Sequence, residues 1–232
     1  MTPDLPTFEK EIGVSFKDKA LLQQAFVHRS YLNENPDFPH GHNERLEFLG
    51  DAVLELAVTE YLYRTYPNPE GELTNWRSAL VKGEMLSSLA SELGMEPYLQ
   101  LSRGEMKGNG RSRQLILANA FEALVGAIYL DQGYETAQAF VHRVLLGRLE
   151  DIIATGAYID SKSHLQELAQ ERLGVTPNYE VLSESGPDHA KEFRVGVYLG
   201  EREAGEGSGA SKQTAQQAAA DQALRKEFRI KD

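Results

Sequence analysis

From Phe8 to about Ile153 apolar residues recur at the three-to-four-residue spacing of helix faces, whereas Phe193, Val195, Val197 and Leu199 alternate strictly with Glu192, Arg194, Gly196 and Tyr198. The first period belongs to amphipathic helices and the second to a half-buried strand. Two periods in separate blocks predict two folding units: an all-α N-terminal domain over 1–153, a linker over 154–159, and a small α+β domain over 160–229. A chain of 232 residues that is 41% hydrophobic is long enough to give each its own core.

In the first block the breaks fall in turn-forming clusters at Asn33 to Gly41, Tyr66 to Gly71, Gly94 to Pro97 and Gly104 to Gly110. The last of these, rich in glycine, reads as a loop. In the second block Ser163 and Gln166 form a Ser-x-x-Gln capping signal, and Leu165, Leu168, Ala169 and Leu173 make a helical stripe. Strands are expected around Tyr179 and Val181, over Phe193 to Leu199, and within Glu201 to Gly207. Ser211 then precedes the alanine-rich Ala215, Ala218, Ala219 and Ala223, which predicts a closing helix and the order α-β-β-β-α.

The segment Asn43-Glu44-Arg45-Leu46-Glu47-Phe48-Leu49-Gly50-Asp51-Ala52-Val53 points to chemistry. At ~100° per residue, Glu47 and Asp51 lie roughly 60° and 20° from Glu44, so three carboxylates share one narrow helix face. Like charges so placed repel, and Leu46, Phe48, Leu49, Val53 and Leu56 imply burial, so a compensating cation is expected. The bland alternative is a solvated acidic stripe. Gly50 argues against it, because a mid-helix glycine costs about 1 kcal/mol and implies close packing. A second apolar helix, Ile116 to Leu130, carries the polar pair Asn119 and Glu122 one turn apart. Two polar faces on two core helices are best explained by their meeting. An oxygen-only cluster of this kind suits Mg2+, with Mn2+ able to substitute. His28, His40 and His42 remain possible ligands, although a lone histidine in a helical or loop setting is more often structural, and with no cysteine the chain has neither disulfides nor thiolate ligands.

The formal charge of −11 opposes a nucleic-acid partner, since phosphate binding is driven by Lys and Arg. Only local clusters answer that objection. Arg103, Lys107, Arg111 and Arg113 form one, and Lys212 with Lys162 and Lys191 a weaker second. Neither a signal-like N-terminus nor a run of about 18 apolar residues is evident, which predicts a soluble cytoplasmic protein with no membrane partner.

Asn43 to Val53 closely resembles the signature of the bacterial ribonuclease III family. The resemblance extends through Glu70-Gly71-Glu72-Leu73-Thr74, Gly104 to Lys107 and Leu117 to Asp131. It continues through Lys162 to Leu168, Gly186-Pro187-Asp188-His189, and Gly207 to Lys212 leading into Ala215, Ala218 and Ala219. It implies an endonuclease domain followed by a double-stranded-RNA-binding domain, acting as a homodimer that cuts both strands of duplex RNA, ribosomal and other structured RNA among its substrates. The products would carry 5'-phosphate and 3'-hydroxyl ends with a short 3' overhang. By motif match Glu47, Asp51, Asn119 and Glu122 would hold metal, with Asp51, Glu122, Glu44 and Glu70 catalytic. Gln166, Gln170, His189 and Lys212 would contact RNA, joined by Arg103 and Lys107 beside the active site. Phe48 resembles the aromatic that packs across the dimer interface.

Two positions depart from the family pattern. Residue 119 is Asn where Asp is usual, which removes a negative charge and predicts weaker metal binding with activity retained; the competing expectation is a duplex-RNA-binding protein with impaired cleavage. The helix opening at Ser211 carries Lys212 as its sole early basic residue, which predicts fewer phosphate contacts, although a helix N-terminus itself attracts phosphate.

Overall fold

A computed structural model describes residues 4–108, 110–155, 160–187 and 191–228. The chain divides into two compact units, Met1–Tyr158 and Ile159–Asp232. The first is helical: α1 (Leu5–Ile12), α2 (Lys19–Ala25), α3 (Arg29–Glu34), α4 (Glu44–Thr65), α5 (Glu70–Val81), α6 (Gly83–Glu92), α7 (Arg103–Met106), α8 (Arg111–Gln132), α9 (Tyr134–Leu145) and α10 (Leu149–Thr155). Ala154 and Thr155 thus close a helix, and the remaining residues expected to form the linker, 156–159, lie outside those described. The glycine-rich segment expected as a loop is partly helical, because Ser102 accepts a hydrogen bond from Glu105 N and caps α7.

The first core is organised around α8, whose residues from Ile116 to Ile128 are buried except for Asn119 and Glu122. By length and composition α8 could cross a membrane, but most of it is buried inside the unit, which makes it a core helix. It packs most extensively on α4, and two glycines set their separation. A Cβ on Gly50 would lie 1.8 Å from the Glu122 carbonyl oxygen, and one on Gly126 would lie 2.3 Å from that of Leu46. The two backbones are in contact, which explains the helix-weakening glycine in α4.

The start of α4 is anchored through Asn43, which is buried. Its Nδ2 donates to the Ala25 carbonyl at 3.1 Å, and its backbone N–H donates to the Val27 carbonyl at 2.8 Å. Asn43→Ala should strand the Ala25 acceptor and lower stability by ~1–3 kcal/mol, read from the denaturant midpoint. An unchanged midpoint would show that this anchor contributes nothing.

The second unit comprises α11 (Ser161–Leu173), β1 (Pro177–Ser185), β2 (Glu192–Leu199), β3 (Arg202–Gly209) and α12 (Lys212–Phe228), its strands forming an antiparallel sheet in the order β1-β2-β3. The expected cap at Ser163 is displaced. The cap lies three residues earlier, where the Asp160 carboxylate accepts from Lys162 N and Ser163 N. Ser211 does cap α12, accepting from Thr214 N at 3.1 Å. Gly205, Gly207 and Gly209 alternate along β3 and meet Ala215, Ala219 and Ala223 along α12. A Cβ on Gly207 would lie 2.2 Å from Ala219 N. Around this contact Leu165, Ala169, Val197, Leu199, Ala204 and Leu224 complete the core.

Candidate active site and RNA-binding surface

Glu44, Glu47 and Asp51 rise along the first turns of α4, and Asn119 and Glu122 occupy the facing turn of α8. The Gly50–Gly126 contact brings these two polar faces together. Asn119 hydrogen-bonds the Glu47 carboxylate, and the charges of Glu47 and Asp51 both act on Glu122. Burial, then Asp51, then Glu47 push the Glu122 carboxyl up to about 7. Glu47 is raised by burial and by Glu44 and Asp51, against which the Asn119 hydrogen bond works in the opposite direction. Among the described residues no cationic side chain contributes to either shift. Burial and mutual repulsion therefore disfavour ionisation, and a cation would relieve both.

The donor chemistry fits a hard divalent ion: three carboxylates and one amide oxygen, with room for water and phosphate oxygens in the rest of the shell. Among the described residues, no three carboxylate or imidazole groups are gathered as a ready-made ligand set.

Glu44 sits at the edge of this cluster. Its carboxylate lies 3.5 Å from an Arg29 nitrogen and 3.8 Å from His42 Nδ1, and it is half-exposed. The sequence reading overlooked Arg29, which lies fifteen positions before Glu44 in no recognisable local pattern. Glu70 lies elsewhere within one chain. It opens α5, accepts from Thr74 Oγ1 at 3.0 Å, and lines a cavity of about 600 Å3 with Thr59, Tyr63, Tyr66 and Arg77. Tyr63 is sixteen residues beyond Glu47 on α4, roughly 24 Å along the axis.

Two residues expected to be buried beside the acids are instead exposed: Phe48 is 82% exposed and Leu56 54%. They share a face of α4 with Tyr63, at 79%. Helical spacing marked them as apolar positions but did not say which side of α4 the single chain covers. Of the first basic cluster, Arg103, Lys107 and Arg111 are exposed, whereas Arg113 is engaged by Glu96 at 2.9 Å.

In the second unit Gln166 and Gln170 are exposed one turn apart on α11. Lys212 is exposed at the start of α12, its Nζ 5.8 Å from the centre of the Phe193 ring. Lys162 is spent internally on Gln216, at 2.7 Å, and Lys191 pairs with Glu184 at 2.7 Å. His189 lies outside the described residues.

A helical unit whose acids converge at a helix–helix contact, carried on one chain with an α-β-β-β-α unit bearing exposed glutamines and a helix-initial lysine, defines a two-part enzyme of nucleic-acid chemistry. Residues 18–149 match the family description Ribonuclease-III-like, and residues 161–227 match the Double-stranded RNA binding motif. Ribonuclease 3 of Chloroflexus aurantiacus is 47% identical over 227 residues, covering 97% of this chain and 92% of that protein. Ribonuclease 3 of Protochlamydia amoebophila is 46% identical over 220 residues, covering 94% and 90% respectively. Among solved structures, the nuclease domain of ribonuclease III from Campylobacter jejuni, which has structural flexibility in a region involved in its dimer formation, superposes with a TM-score of 0.56 at 37% identity, covering 61% of this chain and 95% of that one. The chain belongs to the ribonuclease III family and is an endoribonuclease for double-stranded RNA.

Proposed function

We propose that the chain hydrolyses phosphodiester bonds of duplex RNA with Mg2+, or Mn2+ in its place, held by Glu47, Asp51, Glu122 and Asn119. The observation that carries this reading is the meeting of α4 and α8 at Gly50 and Gly126, which places an uncompensated acidic cluster beside a half-exposed Glu44. A bound divalent ion supplies charge neutralisation at the phosphate and a lowered pKa for an attacking water. The chain's own residues do the rest. Glu122 gives up its proton to become a ligand, Asn119 steadies the Glu47 carboxylate, and Glu44 borders the path of the substrate.

Gln166 and Gln170 contact 2'-hydroxyls across the wide minor groove, which separates RNA from DNA, and Lys212, Arg103 and Lys107 bind backbone phosphates. His189 is assigned to the same surface on the motif match alone. The products are 5'-phosphate and 3'-hydroxyl ends with a short 3' overhang. Ribosomal and other structured RNA are the proposed substrates and the cytoplasm the proposed setting, with which the absence of cysteine agrees. The working form is a homodimer. Its support is the exposed apolar stripe of Phe48, Leu56 and Tyr63 on α4, which a second copy would cover, and two-fold symmetry would give one site per strand. Glu70 would then act near a site only in that assembled form.

The test compares duplex RNA, single-stranded RNA and duplex DNA in Mg2+, Mn2+ and chelator. Cutting confined to duplex RNA and abolished by chelator is expected; duplex binding without cutting in either metal would establish the impaired-cleavage reading of Asn119 instead. Asn119→Asp adds a charge to a cluster already short of cations. It should lower the Mg2+ concentration for half-maximal cleavage about three- to tenfold and depress metal-free stability. An unchanged Mg2+ requirement would remove residue 119 from the ligand set.

A further inference from the structure

The pairing of Glu44 with Arg29 has no structural necessity. Their closest approach, 3.5 Å, is loose, and the Arg29 side chain is 72% exposed, so little of its five-donor fork is used. An exposed pair of this kind contributes ~0–1 kcal/mol and does not account for placing an arginine there. In a chain of net charge −11, an accessible guanidinium at the edge of the acidic cluster is a scarce resource.

Arg29 is also mounted firmly. It is the first residue of α3, and the residues on either side of it are tied to the segment that leads into α7. His28 N donates to the Gln100 carbonyl at 3.0 Å, and Ser30 Oγ accepts from Ser102 N at 3.1 Å. Farther along α3, Glu34 accepts from Arg103 N at 3.2 Å. Arg29 thus shares one hydrogen-bonded platform with α7, which begins at Arg103 and is followed directly by Lys107. The platform carries the exposed cations Arg29, Arg103 and Lys107, of which Arg29 lies against Glu44 of α4.

We propose that Arg29 binds a backbone phosphate of the RNA duplex next to the acidic cluster, and that Glu44 is the internal anion that holds its place when RNA is absent. A phosphate matches the planar fork of arginine in two hydrogen bonds, which the carboxylate at 3.5 Å does not achieve. Arrival of the duplex exchanges one anion for the other and frees Glu44 at the moment the substrate reaches the site. This rests on duplex RNA being the substrate.

Wild type, Arg29→Ala, Arg29→Lys and Glu44→Gln are compared for affinity to a duplex RNA in chelator across a salt series, after melting curves establish that each is folded. Arg29→Ala should weaken binding roughly tenfold and reduce the slope of log affinity against log salt by about one, the signature of one lost phosphate contact. Arg29→Lys should restore the slope, and Glu44→Gln should tighten binding by releasing the arginine. In Mg2+, Arg29→Ala should raise KM more than it lowers kcat. Wild-type affinity and slope in Arg29→Ala, with only kcat reduced, would make Arg29 merely the counterion of Glu44 and overturn the proposal. A wild-type chain that does not bind the duplex would instead overturn the duplex-RNA reading, and this inference with it.

Discussion

Glu122→Gln should lower the rate of duplex cleavage by roughly a thousandfold while leaving duplex affinity in chelator within a few-fold of wild type. A thousandfold corresponds to about 4 kcal/mol of barrier, within the several kcal/mol that a correctly held metal supplies to phosphoryl chemistry. The substitution keeps the shape but removes the charge, and Glu122 lies among the buried turns of α8 in the first unit, whereas the glutamines and lysine proposed to contact RNA belong to the second. Cleavage within tenfold of wild type would take Glu122 out of the metal site. The same variant has a second readout without metal. The folded-state pKa of Glu122 is raised to about 7 from an ordinary value of 4.5, so the protonated form is the one the fold favours. Its contribution to stability is complete below about pH 4.5 and is lost as pH rises through about 7. In chelator the melting temperature of Glu122→Gln relative to wild type should therefore climb between pH 5 and pH 8, and Mg2+ should erase the difference by stabilising the ionised wild-type site. A difference independent of pH would mean that the carboxyl is not held neutral.

Gly50→Ala should reverse the usual sign of a glycine-to-alanine change. In an unobstructed helix the substitution gains up to about 1 kcal/mol, and Gly71 in α5, with nothing within 4 Å of its Cβ position, should behave that way. At Gly50 the new methyl would sit 1.8 Å from a backbone carbonyl oxygen of α8, where no rotamer change can relieve it. A loss of roughly 3 kcal/mol or more is expected, the upper end of what overpacking costs. Where the variant still folds, α4 and α8 must separate, and cleavage should fall further than stability alone explains. Denaturant unfolding of Gly50→Ala and Gly71→Ala side by side decides the matter; equal effects of the two would remove the close approach.

The meeting of the two polar faces was legible in the sequence because acids in apolar helices are costly enough to need a shared explanation. Gly50 pointed to close packing for the same reason. Its counterpart Gly126 drew no notice, since a glycine in an apolar run has no pattern of its own. The closing helix and its Ser211 cap were readable from local chemistry, but the start of α11 was not: Asp160 and Ser163 both offer capping oxygens, and the chain uses the earlier one. The faces of Phe48 and Leu56 could not be assigned from periodicity, which locates an apolar stripe without saying what covers it. Glu70 is placed by the return path of α5 along α4, and Arg29 by the packing of a loop, and neither is encoded at short range.

The glycine row of β3 has a consequence for how the second unit tolerates change. Because α12 rests on Gly205, Gly207 and Gly209 through its backbone, the height of that helix above the sheet is set by atoms no substitution can shorten. A saturation screen scored only for duplex capture should find these three positions intolerant, although they carry no side chain to offer a nucleic acid. The reading edge of the unit is calibrated by residues that have no side chains.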